Sequence, residues 1–393
     1  MKEKMMPLSG VKVLEIGQIA AGPFTGSLLA DLGADVVKVE RPTGGDALRD
    51  WPPLSESDDG EVFSENFASL NRNKRSIVID FKNTKELTHL KELVRVCDVV
   101  LENFRPGVLP RLGLGYEDLI KLNSKLVYCS ISGFGQTGPN SEKGAFDVTV
   151  QGFSGMMSVT GEEGSSPVKN GVPVGDFCAG LYAGYTILAR LIQAKETGCG
   201  AHIDCSMLGS LMGVSALQTS EFFGTGKAPQ AMGSAHPRNA PYQAFRGSDD
   251  YFIIAAGNDH LWEEVASATG LEELIKDPRF LTQALRAQNQ KILADMLQKE
   301  FKKETAEYWL IEMDRRGVPC SEINSYPEVL RSDQVKHMGL VRDLRLPNGI
   351  QTQTLAFPVS MTDYEFNIYR APPGLGEHSD QVASDWLGKK IKG

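Results

Sequence analysis

VKVLEIGQIAAGPFTGSLLADLGADVVKVERP, residues Val11–Pro42, is the stretch that decides the fold. Its two ends, Val11–Ile16 and Ala34–Val39, are short, β-branched and apolar at nearly every position. That is the pattern of strands buried on both faces. Between them, Phe24, Leu28, Leu29 and Leu32 recur at helical spacing within Gly22–Gly33. A strand, a helix and a second strand of this kind make a parallel pair with a crossover helix.

The alternation continues. Ser76–Phe81, Asp98–Phe104 and Leu126–Ser132 read as further buried strands, and Thr84–Cys97 as a helix with Leu87, Leu90, Leu93 and Val94 on one face. The first two hundred residues therefore read as an open α/β domain. A later block differs. Tyr251–Ala256 reads as a strand, followed by helical patterns at His260–Thr269, Leu281–Phe301 and Thr305–Arg316, which suits a smaller α+β domain. Glu322–Asp363 reads as strands and turns, with Pro347-Asn348-Gly349 as a turn signal, and Arg370–His378 as a Gly- and Pro-rich loop.

The chain has 393 residues, too many for one compact core, with 41% hydrophobic and 23% charged residues, which is ordinary globular usage. Its net charge of -9 argues against a nucleic-acid partner, since phosphate binding needs a basic face. None of the six cysteines forms a CxxC pair and the histidines are scattered, so no metal site is expected. The lead Met1–Leu8 lacks the apolar stretch of a secretion signal, and no segment has the length of a membrane span. These features, with free thiols, suit a cytoplasmic protein.

Several loops fall where open α/β sheets bind ligands, beyond the carboxyl ends of the strands. Gly17–Pro23 is built of small residues that let a backbone approach a ligand, or simply form a tight connection. Arg41, Lys82, Arg105 and Arg111 each follow a strand end, and their recurrence in an acidic chain points to a local anion site. Phe104 could stack on a purine or sit in the core. Gly133–Gly138 fits GxGxxG, but Pro139 and Asn140 follow it and no amphipathic helix opens there. It therefore reads as a Gly-rich loop and not as a dinucleotide fingerprint. No GxSxG elbow is present.

Gly171–Asp176 leads into the strongly helical Phe177–Lys195. Asp176 reads as an N-cap of that helix, and this bland reading is complete by itself. The alternative is a carboxylate nucleophile, with Gly175 and Ala179 leaving room for a substrate. The loop Gly233–Tyr242, with His236 and Asn239, reads either as a linker or as a substrate loop. Asp147 follows Phe146 in the loop beyond the Gly-rich strand end.

Taken in order, Ala21-Gly22-Pro23, Val39–Pro42, Asn73–Ser76, Glu102-Asn103-Phe104, Gly133-Phe134-Gly135, Asp176 before its helix and Pro373–His378 resemble the class III CoA-transferase family. The resemblance runs nearly end to end. It implies a large Rossmann-like domain with a parallel sheet, a smaller α+β domain, and a homodimer of interlocked rings. Residues 1–205 would form the first part of the large domain, 206–230 a linker, 231–325 the small domain, and 326–393 a linker and the return to the large domain. Asp176 matches the family nucleophile. Gln18, Arg41, Ile79, Lys82, Asn103, Phe104 and Arg111 match positions that hold CoA, and Arg105 joins them as a strand-end cation. Asp147, His236 and Asn239 are candidates for the substrate loops.

The implied reaction moves CoA between carboxylic acids through aspartyl anhydride and aspartyl-CoA intermediates. Acyl-CoA and a carboxylic acid are substrates, with no permanently bound cofactor. Formyl-CoA transferases carry a Gly-rich loop where this chain has Gly233–Tyr242. That loop, together with Tyr128–Gly133 and Pro241–Phe245, is more similar to members using succinyl-CoA and small dicarboxylates, so oxalate is less favoured. The same family contains α-methylacyl-CoA racemases, which place a His before the Asp at positions 146–147. Phe146 cannot move a proton, which removes one of the two bases a racemase needs. A non-catalytic CoA-binding protein is the third reading, against which Asp176 and its small neighbours stand.

Overall fold

The computed structural model describes residues 5–388. The start of the Met1–Leu8 lead and the last residues of the expected C-terminal return lie outside them. The chain divides into two units. One comprises Met1–Met156, Lys169–Gly224 and Gln334–Gly393, and the other Met157–Val168 and Thr225–Asp333.

In the first unit the strands are β1 (Lys12–Ile16), β2 (Asp35–Glu40), a hairpin of β3 (Leu54–Glu56) and β4 (Val62–Ser64), then β5 (Arg75–Val78), β6 (Val99–Glu102), β7 (Val127–Ser132) and β8 (Ala201–Ser206). Six of them form one sheet in the order β5-β2-β1-β6-β7-β8, and every neighbouring pair is parallel. From β1 the chain winds outward through β2 to β5, returns to lay β6 on the free side of β1, and winds the other way. The strand order thus reverses between β1 and β6. There the loops leaving two adjacent strands turn to opposite faces and open a crevice.

Both faces are covered. On one, Val13, Val36, Val99 and Cys129 pack with Ala179, Ala183 and Ile187 of the long helix Val174–Thr197. On the other, Leu14, Val37, Val100 and Tyr128 pack with Leu90 and Leu93 of helix Thr84–Val94 and with Val382 and Trp386 of helix Ser379–Leu387. Each fully buried leucine or valine contributes roughly 1.5–3 kcal/mol. The crossover helix Ala21–Asp31 passes close to the long helix at Gly180. A Cβ there would fall 2.6 Å from Phe24, and the Gly180 carbonyl accepts a bond from Thr25 Oγ1 at 3.3 Å. This contact brings the start of the long helix beside the loop after β1.

The second unit holds β9 (Tyr242–Arg246), β10 (Tyr251–Ala255) and β11 (Cys320–Glu322). They form an antiparallel sheet in the order β11-β10-β9. Helices Asp259–Ala268, Gln290–Phe301 and Ala306–Arg315 supply Trp262, Phe301 and Trp309 to its core, against Phe245 and Phe252. A final antiparallel hairpin, β12 (Val341–Arg345) with β13 (Gln351–Leu355), belongs to the first unit and turns through Gly349 at φ 85°.

Four expectations need correction. The third sheet strand stops at Val78, so Ile79–Phe81 leaves the ladder as a loop. The helix expected over Leu281–Phe301 is two helices, Gln283–Gln288 and Gln290–Phe301, parted at Asn289, whose φ of -106° and ψ of 19° lie outside the helical region. Glu322–Asp363 contains two short helices, Tyr326–Arg331 and Asp333–Met338, before its hairpin. The sheet also has a sixth strand, β8, at its edge.

Candidate active site

Two cavities open along the carboxyl ends of the first unit's strands. The larger, about 430 Å³, is lined by the loop after β1 (Gln18–Ala21), the loop after β6 (Asn103–Pro106), the loop after β7, and Asp147 and Asp176. The smaller, about 270 Å³, is lined by the loops after β1, β2 and β5, with Arg41, Ile79, Lys82 and Phe104 among them. Gln18 and Phe104 line both, so the two form neighbouring parts of one crevice.

The loop after β1 is held by its neighbours in detail. Asn103 lies just past the end of β6, opposite Gly17. Its side-chain amide accepts the Gln18 N–H at 3.0 Å and donates to the Gln18 carbonyl at 2.9 Å. A Cβ at position 17 would fall 2.5 Å from Asn103 Oδ1, so the close approach requires glycine. The next residue, Ile19, has φ 69°, a left-handed conformation that is strained for a β-branched side chain. Asp46 holds it there by accepting the Ile19 N–H at 3.0 Å.

Beneath this loop is a buried ion network. Glu15 takes Lys38 at 2.9 Å on one oxygen and Lys74 at 2.7 Å on the other, with all three side chains closed to solvent. Lys38 also pairs with Asp46 at 2.7 Å and donates to the Gly17 carbonyl at 3.0 Å. Lys74 donates to the Pro23 carbonyl at 2.7 Å. Burial lowers Lys74 to about 8, against the pull of Glu15. Gly26 leaves room for Glu15, since a Cβ there would sit 1.9 Å from its carboxylate. Sequence reasoning passed over this network. Its signal was two charges, Glu15 and Lys38, each interrupting an apolar strand at directly paired positions of β1 and β2.

Asp176 is not an N-cap. The helix begins at Val174 with Pro173 in the capping position, and Asp176 is its third residue. The cap is supplied from elsewhere: Asp147 Oδ1 accepts the Gly175 N–H at 2.7 Å, while Asp147 Oδ2 takes Gln151 Nε2 at 2.6 Å. Gln151, fully buried, is fixed in turn by the Asn170 N–H at 2.8 Å. The Asp176 carboxylate is left without a hydrogen-bond or ion-pair partner among the described residues, half-buried in the cavity wall. Burial, then the neighbouring charge of Asp147, pushes it up from 3.8 to about 7. Such a group is part ionised at neutral pH and free to bond elsewhere.

The crevice brings together Gln18, Asn103, Phe104, Arg105, Asp147 and Asp176 in the larger cavity and Arg41, Ile79 and Lys82 in the smaller. Arg41 is steadied by a bond from Nε to the Gly45 carbonyl at 2.9 Å. Arg111, on the short helix Val108–Arg111, lines neither. His236 and Asn239 lie in the second unit. His236 Nδ1 accepts the N–H groups of Arg238 and Asn239 at 3.1 Å, and Asn239 Oδ1 takes Gln283. Gly133–Gly138 is a loop after β7, with Gly135 and Gly138 at positive φ, and no helix opens from it.

A doubly wound sheet with its crevice at the strand-order reversal, and an unpartnered carboxylate in the cavity wall, define an α/β protein with a ligand site at its strand ends. The chain belongs to CoA-transferase family III, whose description matches residues 8–379. It is 38% identical over 386 residues to the succinyl-CoA:glutarate CoA-transferase of Mus musculus, covering 98% of this chain and 87% of that protein. It is 39% identical over 387 residues to the succinate–glutarate CoA-transferase of Agrobacterium fabrum, covering 98% and 97%. The crystal structure of a CAIB/BAIF family protein from Brucella suis superposes with a TM-score of 0.86 at 39% identity, over 97% of this chain and 100% of that one. This chain is thus an enzyme, a CoA-transferase of class III. No helix among the described residues is long and apolar enough to cross a membrane.

Proposed function

We propose that this enzyme moves CoA from a succinyl-CoA-like donor to a small dicarboxylate such as glutarate, with Asp176 as the covalent carrier. The observation that supports the reading most is the Asp176 carboxylate, unpartnered in a cavity that adjoins a cation-bearing groove. The substrate class rests on the names of the two relatives above.

In this reading Arg41 and Lys82 hold the phosphates of CoA, Phe104 and Ile79 flank its base, and Gln18 sits where thioester and nucleophile meet. Asp176 attacks the thioester carbonyl, the C–S bond breaks, and a mixed anhydride and the CoA thiolate result. The thiolate attacks the aspartyl carbonyl, giving an aspartyl-CoA thioester and the free donor acid. The acceptor carboxylate attacks that thioester and again displaces thiolate, forming a second anhydride. The thiolate then takes the acceptor's acyl carbon and regenerates Asp176. The Gln18 carboxamide, without a side-chain partner among the described residues, is available to donate to the tetrahedral oxyanions. Phe146, exposed in the cavity wall, offers no proton-transfer group for a racemase.

The enzyme works in the cytoplasm as a homodimer of interlocked chains. Supporting the dimer, Leu181, Tyr185 and Ile192 of the long helix and Leu217 and Phe223 of the helix Ala216–Thr225 are large apolar side chains more than half exposed.

Mass spectrometry after incubation with succinyl-CoA and hydroxylamine tests the mechanism. A CoA-sized or hydroxamate adduct on Asp176 is expected. Its absence with every acyl-CoA offered would remove the covalent role.

A further inference from the structure

The larger cavity is lined by four charged residues: Asp147, Asp176, Lys143 and Arg105. The two carboxylates belong to the reacting end. Neither cation, Lys143 nor Arg105, has a side-chain acceptor among the described residues, and of the two only Arg105 presents the planar fork that matches a carboxylate. It is exposed, and its tip lies beside Gly144, where a Cβ would meet Nη2 at 2.7 Å and Cζ at 3.2 Å. A planar, forked cation that lines the cavity and points no donor at the protein is free to take a carboxylate.

Two anions could take it: a phosphate of CoA, or the second carboxylate of a diacid. The cavities separate them. The strand-end cations Arg41 and Lys82 line the smaller, nucleotide-side groove, whereas Arg105 shares the larger cavity with Asp176. We propose that Arg105 binds the carboxylate remote from the reacting carbon and so selects diacids over monoacids, an inference that rests on the transferase reading above. It moves Arg105 from the CoA-holding set to the acyl-selecting one.

The test compares glutarate with valerate, the same five-carbon chain without the second carboxylate, as acceptors. In a double displacement kcat/KM for the acceptor is independent of the donor half-reaction. Arg105→Gln is expected to lower kcat/KM for glutarate about 10- to 100-fold, the scale of one lost charge-assisted pair. The readout is the glutarate-to-valerate ratio of kcat/KM, expected to fall by that factor, with the Kd of free CoA by calorimetry as the control. Gly144→Ala keeps the charge but displaces the guanidinium, and is expected to shift the glutarate-to-valerate ratio in the same direction. Equal losses for both acids, or weaker CoA binding with an unchanged ratio, overturn the assignment. Wild-type enzyme that uses both acids equally also overturns it while leaving a transferase; transfer to no acid removes the transferase reading as well.

Discussion

Asp176→Asn is expected to make the protein more stable at neutral pH while abolishing turnover. The wild-type carboxyl is raised from 3.8 to about 7 in the folded state, by burial and then by Asp147. A raised carboxyl means that the folded protein holds its proton more tightly than the unfolded chain. Wild-type stability is therefore undiminished below pH 3.8, falls as pH rises toward 7, and stays lowered above it. At 1.36 kcal/mol for each pH unit, the charging cost is about 2 kcal/mol at pH 5 and about 4 kcal/mol above pH 7. Asparagine matches the shape, never ionises, and removes no hydrogen bond, because the carboxylate makes none. Any attraction of the charge to the helix N-terminus is already contained in that cost, so the net gain is about 4 kcal/mol at pH 8. Urea unfolding of both proteins at pH 5 and pH 8, at one fixed protein concentration, reads this directly. An Asn variant whose stability relative to wild type is the same at both pH values would refute the reasoning, because the carboxyl would then not be held above its ordinary value.

Asp147→Asn removes the neighbouring charge that adds to burial at Asp176, so the acid limb of the pH–rate profile is expected to move to lower pH. It also sets an NH₂ group against Gln151 Nε2, at a cost of about 1–2 kcal/mol in denaturant unfolding. Glu15→Ala leaves Lys38 and Lys74 buried without their shared carboxylate and is expected to cost about 3–5 kcal/mol, seen as a large drop in Tm. Arg41→Ala is expected to weaken CoA binding about tenfold or more by calorimetry with kcat nearly kept; an unchanged Kd would remove Arg41 from the CoA site.

What could be read from the chain, and what could not, follows burial. The five strands of the parallel sheet found from sequence are largely closed on both faces, so each is a mostly apolar run, broken at points such as Glu15 and Lys38; β2, for example, is buried at every position after Asp35. The strand that escaped, Ala-His-Ile-Asp-Cys-Ser at β8, alternates buried and exposed residues because it has water on one face at the sheet edge. The helix at Tyr326–Arg331 did announce itself, in Ser325-Tyr326-Pro327-Glu328, a capping box with proline in the first turn. It was passed over because the helix buries nothing and so shows no apolar stripe. The strand-end residues were placed in one crevice because a parallel sheet gathers carboxyl ends at one edge whatever the loops between them do. Arg111 fell outside the cavity lining because it sits a helical turn beyond that edge. Asp176 was misplaced by three residues because Asp147, distant in sequence, supplies the cap that a local reading assigns to the nearest carboxylate.

Asn103 has a further meaning. Where β1 and β6 part, main-chain pairing ends and a side-chain amide performs the next exchange, taking the Gln18 N–H and giving to its carbonyl. Elsewhere in the sheet such pairing is carried by the peptide bonds themselves, and among substitutions only proline removes one of its donors. Here it is written in one codon. Aspartate would offer two acceptors to a carbonyl, alanine neither partner, and glutamine a longer arm than the gap allows. The shape of the loop after β1 is therefore set by one side chain, whereas the shape of the sheet is set by the backbone that every residue shares.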